Sequence, residues 1–516
     1  MKKTGCFLVF FSLVTFLHSQ PSIQWQTTLG GSLYDEARAV QQTTDGGYFI
    51  TGHTVSDNGD VVGNHGYNDF WAIKMDSFGM VQWKKAYGGS NHEWVNDGQP
   101  TSDGGYVLTG FTESNDGEVS GNHGDKDMWV VKLDSDGNIE WQKCLGGTNW
   151  DEAWDILQTP EGGYILAGIS YSTDGDVSGN HGASDYWIVK LSPTADIEWQ
   201  KCLGGSDYDD AYTITLTNEG GYIIAGESQS TDGDVEGNSG GLAAWVVKLN
   251  FEGKIEWQRA LGGSGLDRAN EILQTREGGY VICGQTSSDD GDVVGNHGGY
   301  DLWVVKLDEI GGIEWQKALG GTNEDYGQGI HQTNDGGFVA IGFVHSTNGD
   351  VTGNHGSTDL WIVKLTEEGG LQWQKAFGGT LQERGYSIKQ TSDEGYILAG
   401  EAWSNNGDVT GVLGKTDIWI VKLSPESSPT TEFSSSPLQI FPNPAHHSIS
   451  LQIPTQESSA NVIISDLLGR ECSRQTISIP ELSAGSLNIT ALYPGFYLVT
   501  ATTSAGKIFS GKFWKE

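Results

Sequence analysis

Positive charge is scarce in this chain. Its 516 residues hold 29 lysines and arginines against 67 aspartates and glutamates, a formal net charge of −38. That balance excludes nucleic acids and anionic membrane surfaces as expected partners, because both are held by clustered basic charge. Cysteine is nearly missing, with 5 residues, so a disulfide framework is not what holds the fold. No stretch approaches the ~20 consecutive apolar residues of a membrane-spanning helix. A nucleophile elbow, HExxH, phosphate loop and CxxC are all lacking. What is abundant is glycine, at 75, and tryptophan, at 19. Disordered chains are poor in aromatics, so this pairing predicts many short strands joined by tight turns.

The first 19 residues have the parts of a secretory signal: basic Lys2 and Lys3, an apolar run from Cys6 to Leu17, and the small Ser19. Cleavage is expected before Gln20. The remaining cysteines are Cys144, Cys202, Cys283 and Cys472. Cys144 and Cys202 occupy the same place in successive repeats, too far apart for a disulfide. All four are expected to be unpaired and buried.

Trp25, Trp83, Trp141, Trp199, Trp257, Trp315 and Trp373 follow one another at intervals of 58 residues. Trp71, Trp129, Trp187, Trp245, Trp303, Trp361 and Trp419 keep the same interval. Seven copies at a fixed period define a repeat architecture. In the third copy, strands are expected at Ala153–Thr159, Tyr164–Ser170, Asp185–Leu191 and Ile197–Cys202. Four antiparallel strands per copy, without helical periodicity, predict a seven-bladed β-propeller over residues 20–423. The hairpin phase leaves Ile23–Thr28 as a lone fourth strand and Asp417–Leu423 as a third strand without a partner. Pairing these two closes the ring and removes an exposed edge. A monomer is expected.

The recurring L-D-x-x-G-x-x-x-W, as in Leu133, Asp134, Gly137 and Trp141, resembles the repeat of PQQ-enzyme-like propellers. This resemblance implies blade architecture and says nothing of activity.

After Leu423 the composition changes to a Ser/Pro/Thr linker over residues 424–437, then to short alternating strands over 438–516. The all-β chain should therefore end in a small immunoglobulin-like β-sandwich. Within this tail stand Pro442, Asn443 and Pro444, then Asp466, Gly469 and Arg470, and finally Gly495, Tyr497 and Lys512. Their order and spacing resemble the type A C-terminal sorting domain of the Bacteroidetes type IX secretion system. The resemblance implies export, engagement of that secretion machinery, removal of the tail, and release or attachment at the outer cell surface.

Two loops of each blade are expected on one face. One starts each blade with an acid (Asp35, Glu93, Asp151, Asp209, Asp267, Asp325, Glu383), predicting a ring of carboxylates on that face. The other reads DGDVxGNHGxxD. Its oxygen set is of the kind that binds calcium: Asp174, Asp176, Asn180 and Asp185 in the third blade, Asp290, Asp292, Asn296 and Asp301 in the fifth. Turn chemistry, with the last Asp accepting from backbone N–H groups or His181, is the competing reading. Aromatics break the seven-fold pattern at Trp94, Trp150, Trp154, Tyr208 and Tyr212. Flat rings beside carboxylates suit sugar faces and hydroxyls. The expected function is a secreted or surface-held, non-enzymatic module that binds glycan or protein. The alternative is a glycosidase whose carboxylate pair lies among the many acids.

Overall fold

A computed structural model describes residues 20–238, 240–426, 436–452, 459–465, 471–478, 485–503 and 508–516. The signal segment, Ser239, most of the linker and the sorting-motif residues Asp466, Gly469 and Arg470 lie outside these residues. The chain divides into two compact units, the first of which is Gln20–Glu426.

This first unit is a propeller of seven four-stranded antiparallel sheets. The third blade consists of Asp151–Gln158, Tyr164–Ser170, Asp185–Leu191 and Ile197–Leu203, innermost strand first. The innermost strand begins two residues earlier than the sequence suggests, because Asp151 already pairs with Ser170. The seventh blade is completed by Ile23–Leu29, which runs antiparallel to Asp417–Leu423 with Thr28 opposite Trp419. The ring thus closes with strands from both ends of the repeat region, and Asp417–Leu423 gains the outer partner that its counterparts in the other blades have.

The middle strands read as nearly continuous apolar runs, such as DLWVVKL, because both faces of each blade are covered by neighbouring blades. Trp71, Trp129, Trp187, Trp245, Trp303, Trp361 and Trp419 are fully buried between blades. Burying the indole requires an acceptor for its N–H. Trp129 Nε1 donates to Gln142 Oε1 at 2.8 Å, and the same bond recurs from Trp187 to Gln200 at 2.8 Å. The lysine of the VKL run is also buried, and its charge is met by acids. Lys74 pairs with Asp45 at 2.9 Å and Lys132 with Asp103 at 2.9 Å. The hairpin acids Asp45 and Asp103 therefore each neutralise a buried ammonium.

In the second unit, the described residues form a five-stranded sheet and a three-stranded sheet. Their apolar sides, including Ile449, Val462, Leu487, Val499 and Phe513, make one core. Asn443 is tied to the last strand twice: its Nδ2 donates to Lys512 O at 3.2 Å, and Trp514 N donates to its Oδ1 at 2.9 Å. Tyr497 donates its hydroxyl to Tyr493 O at 3.0 Å. Cys144, Cys202 and Cys283 are buried as expected, but Cys472 is exposed. It alternates with Ser473 along Glu471–Ser478, at the rim of the five-stranded sheet, and falls on the face shared with exposed Arg474 and Thr476.

Candidate functional site

Every innermost strand carries a β-bulge at the same repeat position. The skipped residues are Arg38, Asn96, Trp154, Tyr212, Asn270, Gln328 and Tyr386. A bulge turns an unpaired side chain out of the ladder. All seven of these side chains line one axial cavity of about 790 Å³. The bulge also frees a backbone N–H, which the preceding blade satisfies. Ile214 N donates to Asp155 Oδ2 at 2.8 Å, Ile272 N to Thr213 Oγ1 at 3.4 Å, and Val40 N to Ser387 Oγ at 3.3 Å across the closure.

The residues flanking the bulge hardly vary among blades. On one side stand Ala37, Val95, Ala153, Ala211, Ala269, Gly327 and Gly385, and two positions beyond the bulge mostly isoleucine. The bulge residues themselves vary, with five residue types among the seven: Arg, Trp and Gln once each, Asn and Tyr twice. Packing explains the constant positions, since they fill the space between blades. It does not explain the variable ones, which face the cavity.

Charge on the cavity wall is organised in layers. Lys389 crosses from the seventh blade to Glu271 of the fifth, 2.9 Å away. Burial alone would lower the Lys389 pKa, but Glu271 holds it raised. Asp97 and Asp155, from adjacent blades, are both driven upward by burial, and their titrations are linked. Nearer the mouth, Arg38 lies 4.5 Å from the Tyr386 ring and 5.3 Å from that of Trp94, while Arg268 lies 5.0 Å from the Tyr212 ring. Arg384 stands 5.3 Å from the Phe343 ring and bonds Glu401 at 3.3 Å. Tyr386 donates to the same Glu401 oxygen at 3.1 Å. Glu36, beside Arg38, is raised to about 7 by burial and by the Glu401 charge.

The five aromatics singled out from the sequence divide into two groups. Trp154 and Tyr212 line the cavity and meet edge to face at 4.9 Å. Trp94 packs on Arg38 and on His53, its ring 3.7 Å from the imidazole. Trp150 and Tyr208 instead stand at the loops that precede the innermost strands. There Trp150 stacks on Tyr171 at 5.5 Å, Lys126 Nζ lies 4.5 Å from the Trp150 ring, and Tyr208 is 45% exposed. The arginines, Glu401 and Lys389 were not singled out. Their signal was present as divergence at fixed repeat offsets, but their convergence needed the ring.

The expected ring of surface carboxylates is corrected. All seven acids that start the blades are 0% exposed. Their loops fold over them: Asp151 Oδ2 accepts from Gly147 N at 2.8 Å and from Ser172 Oγ at 2.7 Å.

The oxygens considered for calcium are engaged in similar bonds. Asp174 accepts from Thr148 N at 2.8 Å, and Asp176 faces Gly146 N at 3.4 Å. Asn180 donates to Ser170 O at 2.9 Å, and His181 Nδ1 lies 2.6 Å from Asp185 Oδ2. In the fifth blade Asp290 accepts from Ser264 N at 2.7 Å, Asp292 faces Gly262 N at 3.4 Å, and Asn296 donates to Ser288 O at 2.9 Å. His297 Nδ1 lies 2.7 Å from Asp301 Oδ2. Among the described residues, no cluster of three or more His, Cys, Asp or Glu side chains is arranged to hold a metal ion.

Residues 439–514 match the model of the secretion system C-terminal sorting domain family. The tail is therefore a sorting domain, which indicates export to the cell surface or the medium and interaction with the secretion machinery. No helix among the described residues is long and apolar enough to cross a membrane. Regulatory protein FlaEY of Caulobacter vibrioides is 24% identical over 199 residues, which are 35% of this chain and 20% of that protein. The chain thus matches about a fifth of that relative's length. Among solved structures, Sqt1 from Chaetomium thermophilum aligns at 10% identity and a TM-score of 0.40, over 79% of this chain and 100% of its own. The extracellular domain of the putative hybrid two component system BT3049 from B. thetaiotaomicron aligns at 10% identity and 0.26, over 93% and 67%. Puromycin hydrolase aligns at 11% identity and 0.41, over 91% and 59%. The propeller assignment rests on the strand pairing described above.

Proposed function

We propose that this protein is an exported β-propeller that binds a hydroxyl-rich glycan at the mouth of its axial cavity, without chemical turnover. The observation that carries this reading is the divergence of the seven bulge residues, within repeats that are otherwise held alike by packing. Trp154 and Tyr212 supply flat apolar faces, and Asn96, Asn270 and Gln328 supply donors and acceptors. Together they match the alternating faces and hydroxyls of sugar rings. Trp150 and Tyr208 extend an aromatic surface over neighbouring loops.

Glycoside hydrolysis is the second reading, favoured by the two acid pairs near the axis. Retaining enzymes need carboxyl groups ~5–5.5 Å apart and inverting enzymes need ~6.5–9.5 Å. Asp97 neighbours Asp155, and Glu36 neighbours Glu401. Glu401 is already held by Arg384 and Tyr386, and this engagement supports binding over hydrolysis.

A glycan array and a hydrolysis screen on the same purified protein test both readings. Binding without turnover, lost in Trp154→Ala, is expected. Turnover abolished by Glu36→Gln or Asp155→Asn would replace binding with catalysis. A protein ligand with no glycan bound would overturn the reading.

A further inference from the structure

We infer that the glycan taken by this cavity carries a carboxylate, as in a chain of uronic acids, and that Arg38 and Arg268 hold the acid group. This rests on the glycan reading above and names the substrate class of the same site.

The charges lining the cavity carry the argument. The whole chain has 29 basic against 67 acidic residues, yet the cavity is lined by Arg38, Arg268 and Lys389 against Asp97, Asp155 and Glu271. Lys389 is spent on Glu271 at 2.9 Å. Asp97 and Asp155 are buried together, and burial drives both carboxyls toward the protonated form. Arg38 and Arg268 are then the charged groups that face the cavity without an acid of the lining as partner.

Both guanidinium groups are held over aromatic rings, Arg38 between Trp94 and Tyr386 and Arg268 by Tyr212. Their acid partners, Glu36 and Glu227, stand outside the cavity lining. Arg38 is lightly engaged: among the described residues its one hydrogen bond runs from Nη2 to Glu36 at 3.5 Å, and its Nε has no partner. A planar guanidinium oriented by stacking and left with unused donors suits a planar carboxylate. Neutral sugars would use the amides and ring faces but leave these donors empty.

The test is calorimetric titration of the full chain with trigalacturonic acid, galactotriose and a tri-glutamate peptide, at about 0.15 M salt, where charges beyond ~8 Å are screened. Trigalacturonic acid is expected to bind about tenfold or more tightly than galactotriose, equivalent to ~1.4 kcal/mol. Arg38→Gln and, separately, Arg268→Gln should remove that preference while galactotriose binding stays. Arg38→Lys, which keeps the charge but not the fork, should retain part of it. Circular dichroism and melting confirm that each variant is folded. Equal affinity for the two trisaccharides, or a preference that survives in both folded glutamine variants, overturns the inference. Binding of galactotriose alone sinks the acid claim and leaves the glycan reading standing. Binding of neither sugar sinks both, and tri-glutamate binding as tightly as trigalacturonic acid moves the site to peptides.

Discussion

Trp71 keeps its indole N–H without an acceptor because Lys84 stands where the other six blades place a glutamine. Lys84 turns instead to Asp60, 2.6 Å away at the partly exposed rim. A buried donor left unpaired costs more than a partly exposed ion pair returns. Lys84→Gln should therefore stabilise the protein by about 0.5–1 kcal/mol. A thermal melt should show this as a rise of roughly 1–2 °C for a domain of this size. An unchanged or lower midpoint would mean that the Asp60 contact outweighs the indole bond.

Ring closure uses the same bond. Trp419 Nε1 donates to Gln26 Oε1 at 2.8 Å, across 393 residues of chain. Ser22 and Ser424 add reciprocal contacts, Ser22 N to Ser424 Oγ at 3.0 Å and Ser424 N to Ser22 O at 2.8 Å. Deleting residues 20–30 removes the strand, this acceptor and the clasp together. The melting midpoint should fall markedly, and proteolysis should begin in the seventh blade. A truncated protein that melts like the full one contradicts closure by this strand.

Stability should rise as the solution becomes mildly acidic. Burial raises Asp69, Asp151, Asp185, Asp301 and Asp417 to about 6. A raised carboxyl binds its proton more tightly when folded. Its contribution is complete below the unfolded pKa of ~3.9 and is lost as pH rises through about 6. His297, raised by its bond to Asp301, acts in the same direction. Asp45, lowered to about 2 by Thr43 and Lys74, opposes this only under more acidic conditions. Melts should therefore give a higher midpoint near pH ~5 than near pH ~8, and Asp185→Asn should flatten the dependence. A midpoint that falls steadily from neutrality to mild acid would exclude these buried acids as the controlling groups.

The sorting domain should be needed for export and not for folding of the propeller. Removing residues 436–516 should leave the propeller folded but held within the cell envelope, as fractionation would show. The Asn443 bonds to Lys512 and Trp514 connect the Pro-Asn-Pro segment to the last strand. Asn443→Ala should reduce surface delivery by loosening that attachment. Normal delivery of the truncated chain would remove the assigned role from the tail.

The sequence by itself determined the ring. Tryptophans 58 residues apart, one hairpin phase and one orphan strand at each end suffice for seven blades and their closure, because the contacts within a blade recur at fixed chain offsets. It also carried the tail, whose motif residues lie close along the chain. The tertiary structure alone decided what faces what. Asp151 looks exposed in a polar loop, yet it is buried because that loop folds back and donates its own N–H and hydroxyl groups. Arg38, Arg268 and Tyr386 are unrelated along the chain, yet the innermost strands of the first, fifth and seventh blades gather them around one axis. A channel wall takes one strand from each blade, so its chemistry is set by residues whole repeats apart, and only closing the ring brings them together.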